Sequence, residues 1–152
     1  MLLLIDTNLL LRLVEPAHAQ HTMAIGAIES LAPLGHEPVI VPQVVYEFWA
    51  VATRPVIANG LGMTAAETQL KLNGLLSALR VLRDERSIYE RWQQVVADHE
   101  VKGKQVHDAR LVAAMLRHDI SHLLTFNATD FARYAEITVV EPQRASALAP
   151  AK

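Results

Sequence analysis

Short, uninterrupted apolar runs, each ending at a polar residue or a proline, constrain this chain more than any other feature. The first is residues 2–5, which stop at Asp6-Thr7-Asn8. Similar runs cover residues 39–41 before Pro42, 122–125 before Asn127 and 137–140 before Pro142. Strands buried on both faces read as continuous apolar runs, so this pattern predicts a parallel sheet.

The segments between these runs have helical patterns. Pro42 suits the first position of a helix, and the apolar residues that follow it form one arc ending near Pro55. Capping-box patterns at Thr64 and Ser87 predict two more helix starts, and a fourth helix runs to about His118. Strands that alternate with helices indicate an α/β fold with a mostly parallel central sheet.

Length and composition exclude several classes. A chain of 152 residues suits one domain, which we expect over residues 1–144, followed by a flexible tail over 145–152. Hydrophobic residues make up 51% and charged residues 20%, which excludes a disordered protein. The absence of cysteine excludes disulfides and thiol chemistry, and a net charge of -2 excludes a general attraction to polyanions.

The apolar start of the chain is too short for a membrane span and lacks the basic residues of a signal peptide. We therefore expect a cytoplasmic protein with no membrane contact.

Acidic residues are placed so that they could meet at one edge of the sheet. Asp6 follows the first run directly, and Asp130 follows the third one. On a helical wheel, Glu47 and Asp108 lie on the core-facing side of their helices. Unpaired carboxylates crowded in this way would repel one another, and a hard divalent ion such as Mg²⁺ or Mn²⁺ would relieve the repulsion. Such sites support phosphodiester hydrolysis.

Four motifs together resemble the PIN domain family, in the family's order and over nearly the whole chain. They are Leu4-Ile5-Asp6-Thr7-Asn8, Tyr46-Glu47-Phe48, the segment from His107 to Ala114, and the segment from Leu124 to Phe131. The resemblance implies a three-layer α/β/α sandwich with a metal-dependent nuclease site. Within the family the sequence is most similar to the VapC-type toxins, small ribonucleases that are usually dimeric and are held inactive by an antitoxin.

The resemblance also implies roles for residues. Asp6, Glu47 and Asp108 match the three core acids, and Asp130 would supply the fourth charge because Asn127 is neutral. These four acids would hold Mg²⁺, or Mn²⁺, and carry the catalysis of RNA cleavage. The surrounding polar residues would support the acids or contact the substrate. They are Thr7, Asn8, Thr125 and Asn127.

Other interpretations remain open. Asp6 could simply cap a helix, and Asp108 could simply favour a helix N-terminus. A catalytically silent PIN-fold module that binds RNA or protein is the main alternative function. An aspartyl-phosphate enzyme is disfavoured because the chain lacks an Asp-x-Asp pair at its first strand. A histidine zinc site is disfavoured because no motif supplies a third ligand.

Assembly can also be predicted. The helices that begin near Thr64 and Ser87 carry more leucines than one face of a sheet should need. We therefore expect a homodimer in which one of these helices contributes to the interface.

Overall fold

The computed structural model describes residues 1–152 and has a five-stranded, all-parallel sheet. In chain order the strands are β1 (Leu2–Ile5), β2 (Glu37–Ile40), β3 (Arg80–Val81), β4 (His122–Leu124) and β5 (Thr138–Val140). The helices are α1 (Thr7–Leu13), α2 (His21–Leu31), α3 (Pro42–Thr53), α4 (Ala65–Leu76), α5 (Ser87–Asp98) and α6 (Val106–Arg117).

The strand order is β3-β2-β1-β4-β5. The chain therefore steps from β1 outward to β3, then crosses back to place β4 on the other side of β1. Right-handed crossovers in opposite directions put their helices on opposite faces of the sheet. The result is the predicted α/β/α sandwich. Its topological switch point lies between β1 and β4, and in such sheets ligand sites form at the carboxyl ends of the strands there.

The core explains why β1 is an uninterrupted apolar run. Leu3, Leu4 and Ile5 are fully buried because helices cover both faces of the sheet. The helix α6 is buried almost all round over the five residues from Leu111 to Met115. It packs closely against α5, and the two form one layer of the sandwich.

The helix starts agree with the sequence at some positions and differ at others. Pro42 occupies the first turn of α3, and Thr64 forms the predicted capping box with Glu67. Ser87 does not cap α5, because the residue at the N-cap is Arg86 and no side chain bonds the first turn. The sequence also misses β3, since two residues are too few to show a period of two.

The segment predicted as a flexible tail, residues 145–152, lies against the rest of the domain in this structure. Ala145 is fully buried in a 3-10 helix, Pro142–Ala147, that packs against α2. Farther along, the Ala149 carbonyl bonds the His36 ring at 2.9 Å, and the Ala151 N–H donates to the Leu34 carbonyl at 2.8 Å. The small side chains of this segment allow it to pack closely, although a segment of such composition is typical of a flexible terminus.

None of the helices combines the length and apolar character that crossing a membrane requires.

Candidate active site

Asp6 lies at the switch point, directly after β1, and is buried with 7% of its surface exposed. Its Oδ1 atom accepts from the Thr7 N–H at 2.7 Å. Its Oδ2 atom accepts from Asn8 Nδ2 at 2.8 Å and from the Thr125 hydroxyl at 2.6 Å. Burial raises the pKa of Asp6 to about 6, although the bonds from Thr125 and Thr7 oppose the rise. Asp6 is thus the N-cap of α1 and also an acid whose charged form is disfavoured by burial.

Glu47 reaches the same edge from α3. Its Oε2 atom accepts from the Thr7 hydroxyl at 2.8 Å, and its Oε1 atom accepts from Gln43 Nε2 at 2.8 Å. Thr7 therefore links two carboxylates, since its backbone N–H bonds Asp6 and its side chain bonds Glu47. Each Glu47 oxygen keeps a lone pair for another partner.

Asp108 lies in the first turn of α6 and is half-buried. Its side chain has no hydrogen-bond or ion-pair partner in the protein. Burial raises its pKa, the nearby charges of Asp130 and Glu47 raise it further, and His107 and Arg133 oppose the rise. The nearby charges of Glu47 and Asp108 likewise raise the pKa of Asp6, so Glu47 and Asp108 act on Asp6 while Asp130 acts on Asp108.

Asp130 and Asn127 come from the segment after β4. Asp130 is exposed in a 3-10 turn, Ala128–Phe131, whose N-cap is Asn127. The side chain of Asn127 is also exposed and has no hydrogen-bond partner in the protein. The structure thus brings Asp130 to the outer side of the acidic cluster, while Asn127 contacts the site through its backbone.

Thr125 joins the two central strands beneath the acids. It is fully buried, donates to Asp6, and accepts from Asn8 Nδ2 and the Asn127 N–H, each at 3.0 Å. The Asn8 Oδ1 atom accepts from the Phe126 N–H at 3.1 Å, which ties α1 to the end of β4. These bonds fix the Asp6 carboxylate across the switch point.

No cationic side chain forms a salt bridge with the cluster, although the charge of Arg133 acts on Asp108 from farther away. None of the ion pairs in the structure includes Asp6, Glu47, Asp108 or Asp130. Arg110, the arginine nearest in sequence to Asp108, pairs instead with Asp84 at 3.2 Å. Uncompensated carboxylates with free lone pairs are the donor set that Mg²⁺ and Mn²⁺ prefer.

The acids are nevertheless not arranged as a closed cage. No three His, Asp or Glu side chains lie close enough together to hold a metal ion among them. Magnesium usually keeps several waters and takes only one or two carboxylates from the protein. The donor set therefore fits such an ion, with water completing its coordination.

Gln43 is the residue of the site that sequence reasoning missed. It is buried, and its Nε2 group donates to Glu47 and to the His107 carbonyl, each at 2.8 Å. Its Oε1 atom accepts from Arg110 Nη1 at 3.1 Å. Gln43 thus joins α3 to α6, the helices that carry Glu47 and Asp108. Its only sequence signal is its position four residues before Glu47, on the same helix face.

The fold and the site together define a three-layer α/β protein with an acidic cluster at its switch point. The chain belongs to the PIN domain family, whose model matches residues 3–137. Both the predicted family and the predicted fold class are thereby confirmed. No curated protein sequence matches the chain.

Solved structures share this fold at low sequence identity. VapBC2 from Rickettsia felis, bound to a promoter DNA fragment, has a TM-score of 0.71 at 16% identity, and the match covers 93% of this chain and 98% of that one. A toxin-antitoxin complex from Klebsiella pneumoniae has a TM-score of 0.65 at 23% identity, covering 91% and 96%. VapC20 from Mycobacterium tuberculosis, described as cleaving the sarcin-ricin loop, has a TM-score of 0.67 at 17% identity, covering 87% and 95%. At these identities the likeness establishes a common fold.

Proposed function

We propose that this protein is a Mg²⁺- or Mn²⁺-dependent endoribonuclease and the toxin of a toxin-antitoxin pair. The observation that carries the proposal is a set of acids that form no salt bridge and raise the pKa of two of their members: Glu47 and Asp108 act on Asp6, and Asp130 and Glu47 act on Asp108. A purely structural role would call for a counter-ion or a full set of hydrogen bonds, since unpaired carboxylates are costly near the core.

Asp6 and Asp108 are the main candidates to hold the ion, with Glu47 and Asp130 beside them. When bound, the ion would neutralise charge that develops on the phosphodiester and make water a better nucleophile. Thr7, Asn8 and Thr125 hold Asp6 in one orientation. Asp108 has free lone pairs and can also accept a hydrogen bond from a water molecule. Lys102 and Lys104, exposed just before α6, are placed to contact phosphate groups.

The proposed partners follow from the structural neighbours. Toxin-antitoxin complexes with the same fold support a cognate antitoxin for this chain, and the loop-cleaving toxin supports RNA as the substrate. Acting on cellular RNA would place the protein in the cytoplasm. We also propose that it forms a homodimer.

One observation favours the alternative, a catalytically silent PIN-fold module that binds RNA or protein. The acids are not gathered closely enough to form a ready metal cage. If the cluster cannot recruit an ion, the fold would remain as a binding surface only.

Cleavage of RNA separates the two functions. Purified protein is incubated with structured and single-stranded RNAs in Mg²⁺, in Mn²⁺ or in excess chelator, alongside Asp6→Asn and Asp108→Asn. The control is Asp98→Asn, which removes an exposed carboxylate at the end of α5. We expect cleavage only with an ion, a loss of several orders of magnitude in the two site variants, and no change in the control. Cleavage in chelator, or at the wild-type rate in Asp6→Asn, would exclude this site as its source.

Metal binding has its own readout. An ion that binds only the folded state adds about 2.7 kcal/mol at one hundred times its dissociation constant. The melting temperature of the wild type should therefore rise in millimolar Mg²⁺ or Mn²⁺, and that of Asp6→Asn should rise less. A wild-type melting temperature that neither ion changes would favour the silent module.

A further inference from the structure

A second concave surface lies between the start of α5 and the first half of α6, the helix that carries Asp108. It is a cavity of about 710 Å³ whose wall includes Arg86, Tyr89, Glu90, Trp92 and Arg110. None of these residues belongs to the acidic cluster. Their chemistry and their position relative to the acids indicate what the cavity would bind.

Two aromatic rings form part of this wall. Tyr89 is 60% exposed, and its ring lies 6.3 Å from that of Trp92 at an angle of 23° between the planes. The Trp92 indole N–H donates to the Val106 carbonyl at 2.9 Å, which fixes the ring against the first turn of α6. The wall thus presents an aromatic surface in which Tyr89 faces solvent and Trp92 is held in place, the kind of surface on which nucleobases stack.

Charged groups surround these rings. Arg86 is exposed and forms no ion pair, so its guanidinium is free to contact a phosphate. The Glu90 carboxylate likewise has no partner in the protein, and it can accept hydrogen bonds from the amino or imino groups of a base. The rings would stack on the face of a base, the free cation would contact its phosphate, and the free acceptor would bond the edge of the base.

Arg110 connects the wall of the cavity to the acidic cluster through hydrogen bonds. This side chain lines the cavity and donates to Gln43, which in turn donates to Glu47. Val106, which holds the Trp92 indole, lies two residues before Asp108 on the same helix. The cavity and the acidic cluster therefore draw on the same N-terminal half of α6, where Asp108 and Arg110 lie two residues apart.

We propose that this cavity is a subsite for an unstacked nucleobase of single-stranded RNA, next to the position of the cleaved phosphodiester. The proposal rests on the proposed function in taking RNA as the ligand. The charged side chains around the rings favour a nucleotide over an apolar anchor of a protein partner, because such an anchor would leave Arg86 and Glu90 unsatisfied.

RNA binding in excess chelator tests the subsite without cleavage. Fluorescence anisotropy is measured with labelled eight-nucleotide oligo(A) and oligo(U) and with an RNA duplex, on the wild type, Tyr89→Ala, Tyr89→Phe and Arg86→Ala. The control is Tyr46→Ala, since Tyr46 is 64% exposed on α3 and does not line the cavity. Circular dichroism verifies that each variant is folded.

We expect Tyr89→Ala to weaken single-strand binding about 5- to 150-fold, the equivalent of about 1–3 kcal/mol for one stacked base. Tyr89→Phe should bind within about twofold of the wild type because it keeps the aromatic ring. Tyr46→Ala should do the same because it leaves Tyr89 unchanged. Arg86→Ala should weaken binding and reduce its salt dependence. The duplex should bind more weakly than the single strands, because its bases are already stacked.

Wild-type affinity in Tyr89→Ala would overturn the subsite. So would a change in the molecular mass of Tyr89→Ala with no change in RNA affinity, since that result would make the cavity a protein interface. Tyr89-dependent RNA binding without cleavage in Mg²⁺ or Mn²⁺ would support the subsite and reject the nuclease. Cleavage at the wild-type rate in Tyr89→Ala would support the nuclease and reject the subsite.

Discussion

Burial and hydrogen bonding act in opposite directions on the Asp6 carboxylate. Three donors favour its charged form, but its burial and the nearby charges of Glu47 and Asp108 disfavour it, and the pKa rises from 3.8 to about 6. This rise corresponds to roughly 3 kcal/mol of cost for holding the charge at neutral pH. At the scale of one residue, the site is therefore organised around a charge that the fold alone does not stabilise.

This cost predicts a pH dependence of stability without metal. The folded protein keeps the Asp6 proton up to about pH 6, whereas the unfolded chain releases it near 3.8. The contribution of Asp6 to the free energy of unfolding is therefore complete below about pH 4 and is lost as the pH rises through about 6. Urea unfolding in chelator between pH 4 and 8 measures it by comparison of the wild type with Asp6→Asn. The variant should lack this loss, and parallel pH profiles would contradict the assignment.

At the scale of elements, the site depends on the relative position of α3 and α6, the helices that carry Glu47 and Asp108. Gln43 on α3 bonds Glu47, the His107 carbonyl and Arg110, so it determines how the N-terminal turns of α3 and α6 face each other. Arg110 is held in turn by Asp84, which precedes α5. Three helices are therefore connected through one buried amide.

Gln43→Met should break this connection and keep the side-chain length. We expect RNA cleavage to fall about 10- to 100-fold, since small displacements of catalytic groups have effects of this size. Stability should fall by about 1–3 kcal/mol because the buried partners lose their bonds. Gln69→Met is the matched control, because Gln69 bonds Asn73 on the exposed face of α4. Cleavage kinetics and urea unfolding measure both effects, and equal losses in the two variants would contradict a positioning role for Gln43.

Helix capping gives a second test at this scale. Thr64 accepts from the Glu67 N–H at 3.1 Å, whereas Ser87 makes no cap bond although its sequence pattern is the same. Thr64→Ala should cost about 1 kcal/mol of stability. Ser87→Ala should cost much less, because no hydrogen bond is lost. Equal costs in urea unfolding would show that Ser87 caps α5 in solution.

At the scale of the whole molecule, apolar side chains remain outside the core. The leucines of the α4 region differ in exposure: Leu72 and Leu79 are buried and Leu75 is partly buried, whereas Leu70 is 73% exposed and Leu76 is 37% exposed. Ile57, in the loop before α4, is 96% exposed. Large apolar side chains that remain exposed on a small protein are typical of an interface.

We expect a homodimer in which α4 contributes to the interface. Light scattering at tens of micromolar should give twice the chain mass of 16.8 kDa. Leu70→Glu should shift the mass toward the monomer, and Gln69→Glu, which adds the same charge at the neighbouring exposed position, should not. A wild-type mass of one chain would exclude the dimer, and a dimeric Leu70→Glu would remove α4 from the interface.

The sequence by itself determined the elements whose signal is local. The run from Leu2 to Ile5 predicted a strand buried on both faces, and Pro42 and Thr64 marked helix starts, because burial and capping act over a few neighbouring residues. Motif order also gave the family, and with it the fold class. Where the signal was weak or ambiguous, at β3 and at Ser87, the sequence was insufficient.

Only the tertiary structure decided how distant parts of the chain meet. Thr125 bonds Asp6 across 119 positions, and Arg110 bonds Gln43 across 67. Tertiary packing also holds the small residues near Ala145 against α2, although their composition predicts a flexible tail. It also set the spacing of the carboxylates, which lie near one another without forming a closed cage. Such distances depend on strand order and helix packing, which a local pattern does not encode.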